Sequence, residues 1–349
     1  MVKVFVTGIT GYIGGDAFAA LHDAHADYTY TALVRNGPRA AQVVAAYPRV
    51  RLVYGDLDSI ELIETEAKAA DIVLHFASAD HAPSAEAISR GLSARAEGGF
   101  YIHVSGTGLL TFKDIDRGTY GEASTEVFDD WDGIGAVTSL PDHALHRNVD
   151  KIVLAAGELS GGKVKTAIVG PPCIYGRGRG AGNDRSIQVP ELTRVIIERG
   201  HGVQVGQGKT KWTGVHVADL ADVFVKLVEE AVKGGGKATW GQEGYYFAET
   251  EEFLWGDVSK WVLSEVKKLG LADTDEVKSL TKDEANQATV AGHILWGANS
   301  RCKAIRARKL LGWQPSRPSL KDDLGETVEI EARKAGKLPG HAAKAAGDA

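Results

Sequence analysis

The chain has 349 residues, of which 44% are apolar and 25% charged, so it is globular and long enough for one large domain or two. Its net charge of −6, with no long lysine or arginine run, argues against nucleic acid as a partner. No apolar stretch reaches the roughly 18 residues of a membrane helix, and no signal-peptide pattern opens the chain. We therefore expect a cytoplasmic protein without a membrane partner.

The first half of the chain alternates strand-like and helix-like patterns. Apolar runs rich in β-branched residues predict strands at 2–7, 30–34, 51–55, 71–77, 100–106 and 164–172. Helical patterns lie between them, after Gly15 and at about 39–47, 58–69, 84–97 and 142–160. This alternation predicts βαβ units and a parallel sheet. The polar segment 112–141 interrupts the rhythm and is predicted to be a long loop near the site.

The second half is less regular. Helices are predicted at 187–200, 219–232, 253–270 and 306–313, and short strands at 203–217 and 244–248. The tail 336–349 is low in complexity and in large apolar groups, so we expect it to be disordered. Two isolated cysteines, Cys173 and Cys302, predict neither a disulfide framework nor a zinc site.

The segment TGITGYIGG places four glycines between the first predicted strand and helix. Gly8, Gly11 and Gly14 have the GxxGxxG spacing, in the context that marks a dinucleotide-binding turn. Glycines allow the backbone to approach a pyrophosphate, whose charge the start of the next helix stabilises. We expect these glycines and the residues among them to contact the cofactor, namely Thr10, Tyr12 and Ile13. A tight turn without a ligand is the alternative.

The end of the second predicted strand bears on the choice of cofactor. Arg35 stands where an acidic residue would bind the 2′-hydroxyl of NAD, and arginine suits the 2′-phosphate of NADP. The sequence therefore favours NADP, with NAD still possible, unless Arg35 is simply a solvated surface residue. Asp56, with Leu57 beside it, follows the third strand and either meets the adenine or caps the next helix.

Seven motifs occur in the order found in one enzyme family: TGITGYIGG, GDL at 55–57, HFAS at 75–78, VSGTG at 104–108, GPPCIYGRG at 170–178, VHVADLADVFV at 215–225 and KLLGW at 309–313. Over residues 2–315 the chain thus resembles extended short-chain dehydrogenases/reductases of the NAD-dependent epimerase/dehydratase family. The resemblance implies a Rossmann-type, doubly wound α/β domain (1–175 with 213–240) and a smaller α/β substrate domain (176–212 and 241–335). It also implies that Ala77 and Ser78 line the cofactor and that Pro171, Cys173 and Ile174 lie by the nicotinamide. By analogy a homodimer is the default.

The chain departs from that family at the catalytic helix. The family carries a Ser or Thr after the fifth strand and a Tyr-x-x-x-Lys on the next helix, whose tyrosine exchanges a proton with substrate while the cofactor transfers hydride. Ser105 and Thr107 supply the hydroxyl here, but the helix reads HALHRNVDKIV and has no tyrosine. His146 is a candidate proton donor, Arg147 a candidate cation to polarise a carbonyl, and Lys151 a candidate ribose ligand. Alternatively, His146 and Arg147 are ordinary polar residues of a helix edge, and the role of the tyrosine is lost or supplied by the 112–141 loop. Lys151 would then be a solvated surface lysine.

The remaining aromatic and histidine residues carry weaker predictions. Tyr120 matches a family segment that reaches the substrate, and Tyr175 is predicted to be core. His75 is interpreted as a buried histidine with satisfied hydrogen bonds. His22 and His25 lie on a solvated helix face, so no metal site is predicted.

Three functions remain open from the sequence. The leading hypothesis is an NADP-preferring oxidoreductase that reduces a carbonyl on a small molecule. A nucleotide-sugar epimerase or dehydratase is the second, although that chemistry depends most on the missing tyrosine. The third is a redox sensor of NmrA type, which binds NADP(H) without turnover.

Overall fold

The computed structural model describes residues 1–339. Its first part alternates strands and helices as the sequence predicts. The strands are β1 (Lys3–Thr7), β2 (Thr29–Val34), β3 (Arg51–Tyr54), β4 (Ile72–His75) and β5 (Gly99–Val104). The helices between them are α1 (Tyr12–Ala24), α2 (Gly37–Ala46), α3 (Ile60–Ala69) and α4 (Ala82–Ser93).

The segment predicted as a long loop contains short regular elements. They are α5 (Phe112–Arg117), β6 (Phe128–Asp129) and α6 (Ile134–Thr138). Val137 and Leu140 are buried, so apolar contacts order part of this polar stretch. After it come α7 (Arg147–Leu159), β7 (Val164–Gly170) and β8 (Cys173–Tyr175).

The rest of the chain completes the fold with α8 (Gln188–Arg199), β9 (Gly202–Val205), β10 (Lys211–His216), α9 (Val217–Val232), β11 (Tyr245–Phe247), β12 (Glu251–Leu254), α10 (Trp255–Lys268), β13 (Val277–Leu280), α11 (Lys282–Ala288), α12 (Gly292–Leu295), β14 (Cys302–Lys303), α13 (Arg306–Leu311) and α14 (Leu320–Lys334). The helix α14 was not predicted from the sequence. Its buried Leu320, Leu324, Val328 and Ala332 recur every four residues, a helical signal hidden among charged neighbours.

Seven strands form one parallel sheet in the order β11-β7-β5-β4-β1-β2-β3. The chain leaves β1 for β2 and β3 on one side and continues from β4 on the other side. In such sheets a ligand crevice lies outside the carboxyl ends of the strands where the order reverses, here between β1 and β4. The predicted Rossmann-type, doubly wound fold is confirmed.

Buried apolar side chains form two clusters. The first surrounds the seven-stranded sheet, and the second joins β8, α8, β9, α10 and α14. The strand β11 and residues 302–313 pack in the first cluster, whereas the predicted boundaries placed them in the substrate domain. Of the tail predicted to be disordered, residues 336–339 follow α14, and 340–349 lie outside the described residues.

Candidate active site

The glycine turn after β1 is held by close backbone packing. Gly8 has a φ of +81°, and a Cβ atom there would lie 2.7 Å from the amide nitrogen of Ala77. A Cβ atom on Gly14 would lie 2.4 Å from the carbonyl oxygen of Gly8. The Gly11 amide donates to that same oxygen over 2.9 Å. Only glycine fits Gly8 and Gly14, so the turn keeps its open shape.

The helix α1 begins at this turn with no side-chain cap at Gly11. The first N–H groups of a helix, here those of Tyr12 and Ile13, have no intrahelical partner. They can bind an anion together with the positive end of the helix dipole. The open turn and these donors fit the pyrophosphate of a dinucleotide.

A loop of the second part of the chain clamps the same turn from outside. The Asn183 amide donates to the Thr10 carbonyl over 3.0 Å, and the Tyr12 hydroxyl donates to the Gly176 carbonyl over 2.6 Å. The fully buried Asp16 accepts two hydrogen bonds from the Arg179 guanidinium, at 2.7 and 3.1 Å. These contacts fix the loop 176–186 against the start of α1.

A cavity of about 190 Å³ opens beside the turn, at the carboxyl ends of β1, β2 and β4. It brings together seven of the residues predicted to bind cofactor, and its lining comprises Gly8, Thr10, Gly11, Leu33, Val34, Arg35, Arg39, Asp56, Leu57, Phe76 and Ala77. The size and lining suit the adenosine half of a dinucleotide.

Two arginines line this cavity, of which the sequence analysis named only Arg35. Arg39 lies in the first turn of α2 and donates from Nη1 to the Thr10 hydroxyl over 3.0 Å. Arg35 is exposed at the end of β2. Arg39 stands four residues after Arg35, at the start of the next predicted helix, and this position could have identified it from the sequence.

Two other predicted cofactor residues shape loops around the cavity. The Asp56 carboxylate accepts from the Asp58 amide at 3.0 Å and from the Ser59 hydroxyl at 3.1 Å, just before α3. Asp56 therefore orders the turn into the helix and also lines the cavity. The Ser78 hydroxyl accepts from the Asp80 amide over 3.1 Å. This bond orders the loop after β4.

The residues predicted to lie by the nicotinamide are mostly enclosed. The Pro171 carbonyl accepts from the Thr107 amide over 2.9 Å, which ties the start of this segment to the end of β5. Ile174 is half-buried, whereas Cys173 is fully buried in the second cluster. Burial raises the pKa of the Cys173 thiol.

The segment Ser105–Gly108, which we call the β5 edge, carries the two predicted hydroxyl groups. Thr107 is 1% exposed, and the Ser300 hydroxyl lies 2.8 Å from its hydroxyl and 2.7 Å from its carbonyl oxygen. Ser105 is also buried. Its hydroxyl lies beside the Asp150 carboxyl and the Tyr245 hydroxyl, but it makes no hydrogen bond of ordinary geometry among the described residues.

His146 lies over the β5 edge. It has a φ of +66° and precedes the first residue of α7. Its Nδ1 lies 2.7 Å from Asp80 Oδ1, and since a carboxylate can only accept, Nδ1 carries the proton of this bond. A Cβ atom on Gly106 or Gly108 would lie 3.4 Å from its Nε2. The imidazole is thus oriented by a carboxylate, with Nε2 at the edge.

Asp80 is the partner that the sequence analysis missed. The hydrogen bond from His146 is the main cause that lowers the pKa of the Asp80 carboxyl. Asp80 therefore stays ionised beside the imidazole. Its position five residues beyond β4 was a usable signal, because the carboxyl ends of adjacent parallel strands share one edge.

Arg147 and Lys151 point elsewhere. The buried Arg147 guanidinium donates to the carbonyls of Leu140 and Thr138. Lys151 Nζ donates to the Asp142 carboxylate over 2.8 Å, in a surface groove between α4 and α7. The structure therefore does not bring Lys151 into the cavity beside the glycine turn or to the β5 edge.

Asp150, one residue before Lys151, takes the inward position on α7. It is 1% exposed, and its Oδ2 accepts from the Tyr245 hydroxyl over 3.1 Å. Burial raises the pKa of the Asp150 carboxyl to about 6, opposed by the neighbouring Ser105 hydroxyl and by His146. It lies four residues after His146, the spacing that the family gives to its tyrosine and lysine.

A band of buried polar side chains continues from Ser105 into the interior. We call it the β5 strip; it comprises Tyr101, His103 and Ser105 of β5 and its end, with His75, Asp150 and Thr166 around them. Among the residues that the structure describes, seven of its nitrogen and oxygen atoms are buried without a hydrogen bond of ordinary geometry, namely His75 Nε2, Tyr101 Oη, both ring nitrogens of His103, Ser105 Oγ, Asp150 Oδ1 and Thr166 Oγ1. Each such group costs about 1–3 kcal/mol if left unbonded.

His75 was predicted to be fully satisfied, and the structure corrects this. Its Nδ1 pairs with the Thr7 hydroxyl at 2.7 Å, but its Nε2 has no partner among residues 1–339. Burial lowers the pKa of His75 to about 4 and that of His103 well below its usual value. Both rings are therefore neutral at physiological pH.

The other candidate residues lie away from the β5 edge. Tyr175 is buried in the second cluster and donates to Glu251 over 2.5 Å. Tyr120 packs on His293, with ring centroids 4.9 Å apart. Within residues 1–339, no group of His, Cys, Asp and Glu side chains has the geometry of a metal site, and no helix is long and apolar enough to cross a membrane.

We expect Asp150→Asn to remove a pH-dependent cost of folding. The ordinary pKa of 3.8 rises to about 6 on folding, so the native state holds this proton more tightly than the unfolded chain does. The wild type therefore loses stability as pH rises between these values, by about 2 kcal/mol between about pH 4 and pH 7 relative to the variant. Urea unfolding at several pH values measures this gap. Exposed Asp132→Asn is the control, and a gap independent of pH would contradict the burial of a titrating carboxyl.

The sequence is similar to a known protein family and to a fungal protein over nearly its full length. The sequence model of the NAD-dependent epimerase/dehydratase family matches residues 4–102. The oxidase ucsJ of an Acremonium species is 39% identical over 343 residues, which cover 96% of this chain and 99% of that protein.

Solved structures share the fold at low identity. The UDP-glucuronic acid 4-epimerase of Bacillus cereus, solved with UDP-glucuronic acid and NAD, has a TM-score of 0.67 at 13% identity and covers 95% of this chain and 100% of its own. The NAD complex of dTDP-glucose 4,6-dehydratase from Bacillus anthracis has a TM-score of 0.65 at 14% identity, covering 97% and 99%. With the nearly full-length match to the fungal oxidase, these findings confirm the resemblance read from the motifs. The chain belongs to the NAD-dependent epimerase/dehydratase family.

Proposed function

We propose that the protein is an NADP(H)-dependent oxidoreductase that interconverts a carbonyl and an alcohol on a small molecule, with His146 as proton donor and acceptor. The observation that carries this proposal is the His146–Asp80 pair, whose free Nε2 faces the β5 edge. The name oxidase given to the 39% identical relative supports redox chemistry.

In the reducing direction the protein residues handle one proton. A bound nicotinamide would supply the hydride to the carbonyl carbon. His146 gives the Nε2 proton to the carbonyl oxygen, and Asp80 stabilises the imidazolium beforehand and keeps the ring oriented. His146 then regains a proton before the next turnover. In the oxidising direction the same atom accepts the alcohol proton.

The preference for NADP rests on the two arginines of the adenosine cavity. A 2′-phosphate at the end of β2 would meet the guanidinium groups of Arg35 and Arg39, and charge-assisted bonds to phosphate are the strong ones. Asp56, at the end of the next strand, already accepts two hydrogen bonds within its own turn.

A redox sensor that binds NADP(H) without turnover is the second candidate. The absence of the family tyrosine and the outward position of Lys151 favour it. The carboxylate-oriented histidine favours an enzyme, because a sensor has no use for a proton donor at this edge. The nucleotide-sugar epimerase or dehydratase alternative has the support of the solved structures only at the level of the fold.

Replacing the two arginines tests the cofactor preference. We expect Arg35→Ala and Arg39→Ala each to weaken NADP binding by roughly 10- to 100-fold, the equivalent of one lost charged hydrogen bond. NAD binding stays unchanged, because NAD lacks the 2′-phosphate. Fluorescence titration of both cofactors measures this, and exposed Arg49→Ala is the matched control. Equal loss of NAD and NADP affinity would contradict the assignment.

Replacing the histidine tests the proton donor. We expect His146→Gln to lower kcat by about 10²- to 10⁴-fold with NADPH affinity unchanged, and Asp80→Asn to lower kcat in the same direction. NADPH absorbance followed over a panel of aldehydes, ketones and quinones gives the rates. His143→Gln is the matched control, since His143 also pairs with a carboxylate, Asp116, at 3.0 Å but is exposed.

Three results would argue against this role. Turnover that survives in His146→Gln would remove His146 from the mechanism, and so would an equal loss in His143→Gln. A parent protein that binds NADPH tightly and reduces nothing would favour the sensor.

A further inference from the structure

We propose that ordered internal water molecules occupy the β5 strip and, through Ser105, connect the Asp150 carboxyl to the β5 edge as a path for proton transfer. Hydration of the strip stands independently of the proposed function. Only the use of the path during turnover rests on that function.

The strip is a continuous surface because of strand register. Tyr101, His103 and Ser105 alternate along the chain, so all three face the same side of the sheet. Thr166 of β7 pairs with Tyr101, and His75 of β4 pairs with His103. Asp150 faces this row from α7. The row thus leads from the β5 edge into the core between the sheet and α7.

The rings of the strip cannot satisfy one another. His75 and His103 are stacked, with centroids 5.2 Å apart and planes at 22°. Ring N–H groups point within the ring plane, so stacked imidazoles do not hydrogen-bond to each other. The Tyr101 ring lies 6.3 Å from His75 and 6.1 Å from His103, centroid to centroid.

Water is the hydrogen-bond partner that best suits the polar groups of the β5 strip. Buried polar groups in native proteins are bonded to protein or to ordered water, and buried waters bridge groups that lack protein partners. Seven unpartnered atoms on six neighbouring side chains form a polar lining, in contrast to the apolar sites that stay dry.

Asp150 is the group of the strip that can hold a proton near neutral pH. The groups around it are His146 and Arg147 at the start of α7, Ser105 and Tyr101 on the β5 side, and Tyr245 of β11. Burial keeps the two strip histidines neutral and raises the pKa of the Asp150 carboxyl to about 6. A neutral imidazole and a hydroxyl each carry one donor and one acceptor, so they can pass a proton without a lasting charge.

The transfer conserves protons at every step. The Asp150 carboxylic acid gives its proton to Ser105 Oγ, directly or through a water, while Ser105 releases its own hydroxyl proton toward the edge. Asp150 is left as a carboxylate, and a solvent proton returns along the same route. During turnover the released proton would restore His146 after it has protonated the substrate. Asp150 contacts neither the substrate nor the cofactor. It acts on the site only through Ser105.

A crystal structure of the full chain at a resolution that resolves waters is the first test. We expect waters within hydrogen-bond distance of Asp150 Oδ1 and of at least one His103 nitrogen. Side chains bonded only to one another, with no water in the strip, would overturn the proposal.

Infrared spectroscopy is the second test and needs no turnover. The C=O stretch of the protonated Asp150 carboxyl should appear as pH falls, be absent in Asp150→Asn and shift at once on transfer to D₂O. In Ser105→Ala, which removes the hydroxyl of the path, that shift should be slower. The control His22→Phe replaces a histidine packed among aromatic rings of α1 and its neighbours and should leave the shift unchanged. Slow exchange in the wild type would contradict an open path.

Kinetics separate this proposal from the proposed function. We expect Asp150→Asn to lower kcat by about tenfold or more, with KM unchanged and a larger solvent isotope effect, because proton delivery becomes limiting. An unchanged kcat and isotope effect would overturn the use of the path in turnover. A wild type without any turnover, but with fast exchange at Asp150, would contradict the proposed function alone.

Discussion

The left-handed turn at His146 is the constraint on which the arrangement of the site depends. Its φ of +66° delays the start of α7 to Arg147, five residues after the predicted start. This register sends His146 over the β5 edge, Asp150 into the core and Lys151 to the surface groove. A helix starting at 142 would not fix these directions. One strained residue thus decides which polar groups reach the site, and such strain is typical of functional positions.

The glycine turn is the second fixed point, because both halves of the chain meet there. Gly8 and Gly14 admit no side chain, and the loop 176–186 closes over Thr10 and Asp16. The cavity beside the glycine turn and the loop therefore share one wall. Any shift of that loop would also displace the first N–H groups of α1, which are the donors available to a pyrophosphate.

Much of the fold was predictable, since hydrophobic periodicity and glycine chemistry are local signals. The order of the first five strands, the parallel sheet and the dinucleotide turn all follow from runs such as KVFVT and TGITGYIGG. The site was less predictable. The register of α7 depends on the positive φ of His146. No pattern in HALHRNVDK predicts this backbone conformation. Asp80 and Arg39 could be identified only from the structure, in which the ends of separate strands lie close together. The polar strip could be identified only from the pairing of His75 with His103 on neighbouring strands.

A crystal structure of the complex with NADP tests the account most directly. We expect the pyrophosphate on the first N–H groups of α1, the 2′-phosphate between Arg35 and Arg39, and the reactive face of the nicotinamide toward His146 Nε2. A nicotinamide directed away from His146, with another side chain beside its reactive carbon, would contradict the central claim.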